Sequence, residues 1–421
     1  MSIHSLKHRI HKRANLRNRK QDYSDIGSFI KKRRMELNVT QDELSSGTCS
    51  HSYLSKLENN QIVPNEYYVR ELLDKLEVDK SVFETSLKDK HYVNRMILAY
   101  FQMDDKAITA IYDEIQSIEH NTIINLCKLG YIVFFNREDE NQYVMMLEHL
   151  INNMTDLEVR LYLYFAAVYF SKQAKFKTAL ELIVLQESLP QQNEYLAAMF
   201  HDLAYAVKQR LGVKNSASEN YQHAMNLYNK YHNVTRVIRL ALQKITWIVE
   251  EHPTRALAML DMVRIDLLDD RNRDQHHFLK ASALFAQERY NESTLALKAI
   301  PSTSHLYLRK MTLLLQICVI EDDHDMIDRI RSKLKEYKAD KTQMNDKIHY
   351  HYLIQTDPQG RKEYLRDIAI PFAINVEDYR RLEEYTNEMM RLCADSSRYK
   401  EAIQHYHKYR KEVQKIRRIL H

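Results

Sequence analysis

Glycine is nearly missing from this chain. Five occur in 421 residues (Gly27, Gly47, Gly130, Gly212 and Gly360), no two closer than twenty positions. Sheet-rich folds need repeated tight turns with positive φ, which glycine mostly supplies. Loops that cradle phosphate need several glycines close together. A P-loop, a dinucleotide fingerprint and an all-β fold are therefore excluded. With six prolines, 44% apolar and 28% charged residues, the expectation is a long, soluble, all-α chain. Seven Lys/Arg in the first twenty residues, with no apolar core among them, do not make a secretory signal. The longest apolar run, LYLYFAAVYF at 161–170, is about half of what a bilayer requires. No membrane partner and a cytoplasmic location are expected. The four cysteines (Cys49, Cys127, Cys318, Cys393) are widely separated, as reduced thiols would be.

Charge divides the chain. Residues 1–60 hold twelve Lys/Arg against six Asp/Glu, whereas the remaining 361 carry 50 against 51. Positive charge concentrated at one end points to a polyanion partner there. Residues 1–24 read as a basic arm without an obvious apolar face. It is either a solvated tail or an arm that lies on DNA phosphates or in a minor groove.

Residues 25–88 read as a set of short helices. In IGSFIKKRRMELN, Ile26, Phe29, Ile30 and Leu37 form one stripe. Thr40 caps TQDELSS, with Glu43 three residues on completing a capping box. Ser50 caps the next helix, SHSYLSKLENN; Pro64 opens PNEYYVRELLDKLEV; a last short helix, SVFETSLKDK, follows. Two short helices crossing at a fixed angle, with a glycine permitting the turn, project the second helix into a major groove. Leu44, Leu54 and Leu57 must then point inward, and His51, Ser52, Ser55 and Lys56 outward. Lys56 suits guanine O6 and N7, and Ser52 pairs with several bases. Lys32, Arg33 and Arg34 would add phosphate contacts that carry affinity without sequence information. Thr40-Gln41-x-Glu43-Leu44, Gly47, Leu54, Leu57, Glu58-Asn59 and Pro64 resemble the lambda-repressor-like (Xre/Cro-type) helix-turn-helix. That resemblance implies base contacts from the positions of His51, Ser52 and Lys56, and phosphate contacts from Gln41 and Asn59. Tyr53 departs from it, being bulky where a small residue is frequent.

From residue 89 to 421 the chain repeats. A small or apolar residue recurs at Ala107, Val144, Ala179, Ala224, Ala256, Thr294, Ile327, Tyr364 and Ala402, at intervals of 37, 35, 45, 32, 38, 33, 37 and 38. Each interval accommodates two antiparallel helices and their turns, giving about nine helical pairs, the register at Ile327 and Tyr364 being the least regular. An aromatic three residues earlier accompanies several of them (Phe176, Tyr221, Tyr399). The pattern resembles tetratricopeptide repeats, and so implies an α-solenoid in which each pair buries its apolar face by stacking on its neighbours.

Taken together, a helix-turn-helix followed by such repeats resembles the peptide-pheromone-responsive regulators of Gram-positive bacteria, the Rgg, NprR, PlcR and PrgX group. What that implies is a homodimeric transcription regulator on a double-stranded DNA operator, its repeat groove sensing a short signalling peptide in quorum sensing. The alternative keeps the DNA domain but makes the repeats a dock for a partner protein, such as a signalling protein or antirepressor. Candidate groove residues are polar positions on first helices of pairs: Tyr205, Gln209, Arg236, Arg239, Gln243, His277, Lys280, Arg309 and Gln316. Arg236, Arg239 and Lys280 would favour a carboxylate or acidic side chains. No catalytic constellation, cofactor motif or metal site stands out, so the chain does not read as an enzyme. The pairs His349/His351 and His405/His407 are two apart and do not face each other on a helix. The basic, amphipathic stretch HYHKYRKEVQKIRRIL reads as a helix that caps the array, with a dimer or second DNA contact as the alternative.

Overall fold

The computed structural model describes residues 6–10, 26–59, 62, 64–78, 81–118, 122–137, 140–151, 154–191, 193–335, 337, 343–355 and 357–420. The side chains of residues 28, 32, 36, 81–90, 417 and 420 lie outside that description. Among the described residues the secondary structure is entirely helical, and the chain divides into two compact units, 1–203 and 204–421.

The first unit starts with α1 (Ile26–Glu36), α2 (Gln41–Ser45), α3 (His51–Glu58) and α4 (Glu66–Lys75). Their shared core is Ile26, Ile30, Leu44, Leu54, Leu57, Val69, Leu72, Leu73 and Leu76. Leu37, expected on the inner stripe, is 40% exposed because α1 has already ended before it. Asn65, not Pro64, caps α4, accepting from the Tyr67 N–H at 3.0 Å. The expected short helix at 81–90 is instead the first part of α5 (Ser81–Gln102), which runs unbroken through 88 and 89. After it come α6 (Asp105–Ile115), α7 (Thr122–Phe135), α8 (Glu140–Leu150), α9 (Asp156–Lys172), α10 (Phe176–Gln186) and α11 (Glu194–Arg210), the last crossing into the second unit.

Of the basic arm, only residues 6–10 are described. They form a short helical turn with Leu6 and Ile10 fully buried, and Arg9 donates from Nη1 to the Glu148 carbonyl on α8 at 3.2 Å. This corrects the reading that the arm lacks an apolar face: two residues four apart share one side of a helical turn. The rest of the arm lies outside the described residues.

The second unit continues with α12 (Lys214–Lys230), α13 (Val234–Ile248), α14 (Pro253–Asp261), α15 (Asp270–Ala286), α16 (Tyr290–Lys298), α17 (Tyr307–Ile320), α18 (His324–Lys335) and α19 (Met344–Leu353). Next, α20 (Pro358–Tyr364) passes through a π-helical turn at Leu365–Ala369 into α21 (Ile370–Asn375), and α22 (Tyr379–Asp395) and α23 (Tyr399–Leu420) complete the array. Successive pairs begin at α5, α7, α9, α11, α13, α15, α17, α19 and α22.

The repeat signal is a packing signal. Val144, Ala179, Ala224 and Ala256 are all fully buried where paired helices approach. In the sixth pair the buried position is Ser293, whose Oγ donates to the Ala281 carbonyl at 2.8 Å, while the expected Thr294 is only half-buried. A hydroxyl bonded to the facing helix does there what a methyl does elsewhere. Tyr364 is half-buried and the adjacent Leu365 fully buried, which accounts for the weak register there.

Turns within pairs are made largely without glycine. Met103, Asn136, Ala174, Glu288, Asp322 and Ser397 adopt φ between 56° and 60°, and among the described residues only Gly212 serves the same place as a glycine. The N–H that follows each of them reaches back to the helix, as Lys175 to Phe170 O at 2.9 Å and Arg289 to Leu284 O at 2.9 Å, closing a Schellman-type end. Scarce glycine therefore does not mean scarce left-handed turns: at these helix ends other residues take that conformation.

Candidate DNA interface and repeat face

Local bonds fix the helix-turn-helix. Thr40 Oγ1 accepts from the Glu43 N–H at 3.2 Å while Glu43 Oε2 accepts from the Thr40 N–H at 2.7 Å, so α2 begins where the capping box requires. Gly47, at φ +72°, makes the turn. Ser50 Oγ accepts from the Tyr53 N–H at 3.1 Å and starts α3. Leu44, Leu54 and Leu57 are 2%, 0% and 1% exposed, as the crossing angle demands. Lys75 on α4 donates to the Leu44 and Ser46 carbonyls and pins the turn from below.

The outer side of α3 then presents His51, Ser52, Lys56 and Asn59 as an exposed strip, with Ser55 half-buried along it. His51 Nε2 lies 3.7 Å from Asp42 Oδ1. Asn59 donates to the Ser55 carbonyl at 2.8 Å and accepts from Lys31 Nζ at 3.3 Å. Tyr53 faces inward: its ring meets Tyr68 edge-on at 5.0 Å, and its hydroxyl accepts from the Asn65 N–H at 2.8 Å.

Two expected phosphate contacts are held inside the domain. Glu58, 2% exposed, takes Arg34 Nε and Nη2 at 2.6 and 2.9 Å and Gln41 Nε2 at 2.6 Å. Arg34 also donates to the Val39 carbonyl at 2.9 Å. The bond to Glu58 raises the Arg34 pKa above its ordinary value, against the opposing effect of burial. One buried carboxylate thus fastens α1, α2 and α3 together, and Arg34 and Gln41 serve that joint. Sequence reasoning missed it because an acidic residue at the end of an exposed helix reads as solvated. Arg33 is half-buried on α1, and the Lys32 side chain lies outside the described residues.

Of the candidate groove residues, Tyr205 is a core residue, 2% exposed, with its ring 5.3 Å from Tyr221. Arg236 is 9% exposed, its guanidinium over the Tyr228 ring at 5.8 Å. Tyr205 packs against the second helix of its own pair and Arg236 against the second helix of the preceding pair, so neither lines an open face. Arg309 is engaged with Asp346 at 2.8 Å. Gln209, Gln243, His277 and Gln316 are half-buried on α11, α13, α15 and α17, and Arg239 and Lys280 are exposed. Burial lowers the His277 pKa, with His276 beside it adding to the effect. Among the described residues, no helix is long and apolar enough to cross a membrane.

Residues 30–83 match the helix-turn-helix family model. Over 207 residues the chain is 23% identical to the transcriptional activator NprA of Geobacillus stearothermophilus, an alignment covering 46% of this chain and 50% of that protein. The chain thus spans about half the length of the curated relative it matches. Its fold is similar to that of a Rap protein complexed with Competence and Sporulation Factor, at 12% identity and a TM-score of 0.63, covering 80% of this chain and 99% of that one. It is similar also to NprR in complex with its cognate peptide NprX (13% identity, TM-score 0.63, 76% of this chain and 98% of that one). Apo NprR from B. thuringiensis aligns at 14% identity with a TM-score of 0.57, covering 77% and 98%. The chain is an N-terminal helix-turn-helix joined to tetratricopeptide-like helical repeats, the architecture its sequence resembles.

Proposed function

We propose that this chain is a sequence-specific DNA-binding transcription regulator whose repeats bind a short signalling peptide. The observation that carries the DNA half is the strip of His51, Ser52, Ser55, Lys56 and Asn59 along one side of a helix whose opposite side is locked into a core. Short polar side chains and one lysine on a rigid helix are what a major groove reads. The peptide half is supported by the repeat fold, which is similar to that of a peptide-bound protein. The half-buried Gln209, Gln243, His277 and Gln316 and the exposed Arg239 and Lys280 suit the backbone and charged ends of an extended peptide. The basic residues of the first sixty add charge of the sign that a duplex attracts.

The test is selection of genomic duplex fragments by the full chain, repeated with short synthetic peptides. Enrichment of a common sequence that a peptide alters is the expected result. Loss of the peptide effect in Arg239→Ala or Gln243→Ala would assign it to the repeats. Enrichment without any peptide effect, with a stable partner protein recovered instead, would leave the DNA half standing and overturn the peptide half.

A further inference from the structure

In a stack of helical pairs each pair touches its neighbours. One contact in the second unit breaks that rule. The ends of α11 and α13, in the fourth and fifth pairs, meet the start of α22 in the ninth. Arg210 Nη1 lies 2.9 Å from Asp378 Oδ2, and Arg380 Nη2 lies 2.5 Å from Glu250 Oε2. Arg380 Nη1 donates to the Thr246 carbonyl at 3.4 Å. Trp247, the one tryptophan of the chain, has the Arg210 and Arg380 guanidiniums over its ring at 5.6 and 5.4 Å. Asp378 is anchored on its own side by the Asn345 amide at 2.8 Å and the Arg381 N–H at 3.1 Å.

The array can bring these pairs together only by curving round, so the contact closes a loop through the pairs between them. The junction is thin, made of side chains without the broad helix-on-helix packing that joins neighbours. Its charges pair across the junction, Arg210 with Asp378 and Arg380 with Glu250. Arg210 and Arg380 keep 39% and 33% of their side chains exposed, a degree at which ion pairs and cation–π contacts are weak and reversible.

We propose that Arg210, Trp247, Glu250, Asp378 and Arg380 form a clasp that gates admission of ligand to the inner face of the repeats and its escape. The proposal rests on the peptide reading above and adds its regulation: a closed clasp slows both binding and release.

Trp247 reports on the clasp directly. Acrylamide quenching of the full-length protein is compared with that of Arg380→Ala, and of Arg380→Gln in case the alanine variant misfolds. Loss of the stacked guanidinium exposes the indole, so stronger quenching is expected in either folded variant. Unchanged quenching in both overturns the clasp. The tightest binder from a combinatorial library of short peptides, fluorescently labelled, is then the probe. Opening the clasp is expected to speed both its association and its dissociation, the latter about tenfold, the factor for roughly 1.4 kcal/mol. Unchanged rates in a variant whose indole is exposed overturn the gate. If no library peptide binds, the peptide reading fails and the gate with it, while quenching still shows whether the clasp forms.

Discussion

At the residue scale, position on a helix decides role more than residue type does. Lys56 and Glu58 are two residues apart on α3, yet one is exposed and the other is a buried joint. We expect Lys56→Ala to weaken specific DNA binding by about 1–3 kcal/mol while leaving non-specific binding mostly intact. Titration of both kinds of duplex checks this; equal losses on the two would move Lys56 to a phosphate role. Gly130 illustrates a different constraint. A Cβ there would stand 2.9 Å from Phe165 Cζ and 3.2 Å from Met96 Sδ, in a place where Phe165 is fully buried. Gly130→Ala is therefore expected to destabilise the protein by about 1–3 kcal/mol through overpacking. Denaturant unfolding would show it, and an unchanged midpoint would mean that the phenyl ring moves aside freely. The sequence marks Gly130 only as one of five glycines; the close approach that requires it comes from Phe165 on α9, 35 residues away.

At the element scale, the signals that proved legible are the ones carried by neighbours in sequence. The capping box at Thr40 and the Ser50 cap act within three residues, and both helices start where those residues place them. The left-handed helix ends are also local, but their residue types hide them. Ala174 holds φ +56° without a glycine's freedom. Ala174→Gly should stabilise the protein by about 1 kcal/mol, relieving the cost of the left-handed conformation; a lowered melting temperature would show that the methyl packs usefully. Misreadings at this scale have one cause. Tyr205 and Arg236 carry polar tips on long apolar or aliphatic bodies, so their helical positions looked like groove positions, whereas α12, which lies between their two helices in sequence, supplies Tyr221 and Tyr228 to cover them. The α5 helix joins what reads as two segments because nothing in the sequence near 88 stops a helix.

At the scale of the whole molecule, stability at low pH and assembly on DNA are the properties to test. Burial alone would raise the Asp378 carboxyl, but the Arg210 guanidinium, the Arg381 N–H and the Asn345 amide hold it below its ordinary value. A depressed folded pKa adds stability that is full above the unfolded pKa of about 4 and is lost as pH falls through the folded value. Wild-type protein should thus lose stability below pH ~4 more steeply than Asp378→Asn, which should be weaker at neutral pH; identical acid limbs would show that Asp378 contributes nothing. The reading strip of one helix-turn-helix is small, and two half-sites are the usual remedy. Native mass spectrometry of the DNA complex is expected to show two chains per operator, and one chain would overturn the homodimer.

The sequence by itself determined an all-helical chain, the helix-turn-helix with its exposed strip, and the pairing of the helices that follow. Spacing, caps and small residues act over distances of a few turns, so a linear reading captures them. Only the tertiary structure decided that Glu58 holds Arg34 and Gln41, that Tyr205 and Arg236 are covered, and that α22 returns to meet Arg210 and Trp247. Each of those contacts joins residues from separate helices, and a charged or aromatic side chain takes its role from the group it meets there.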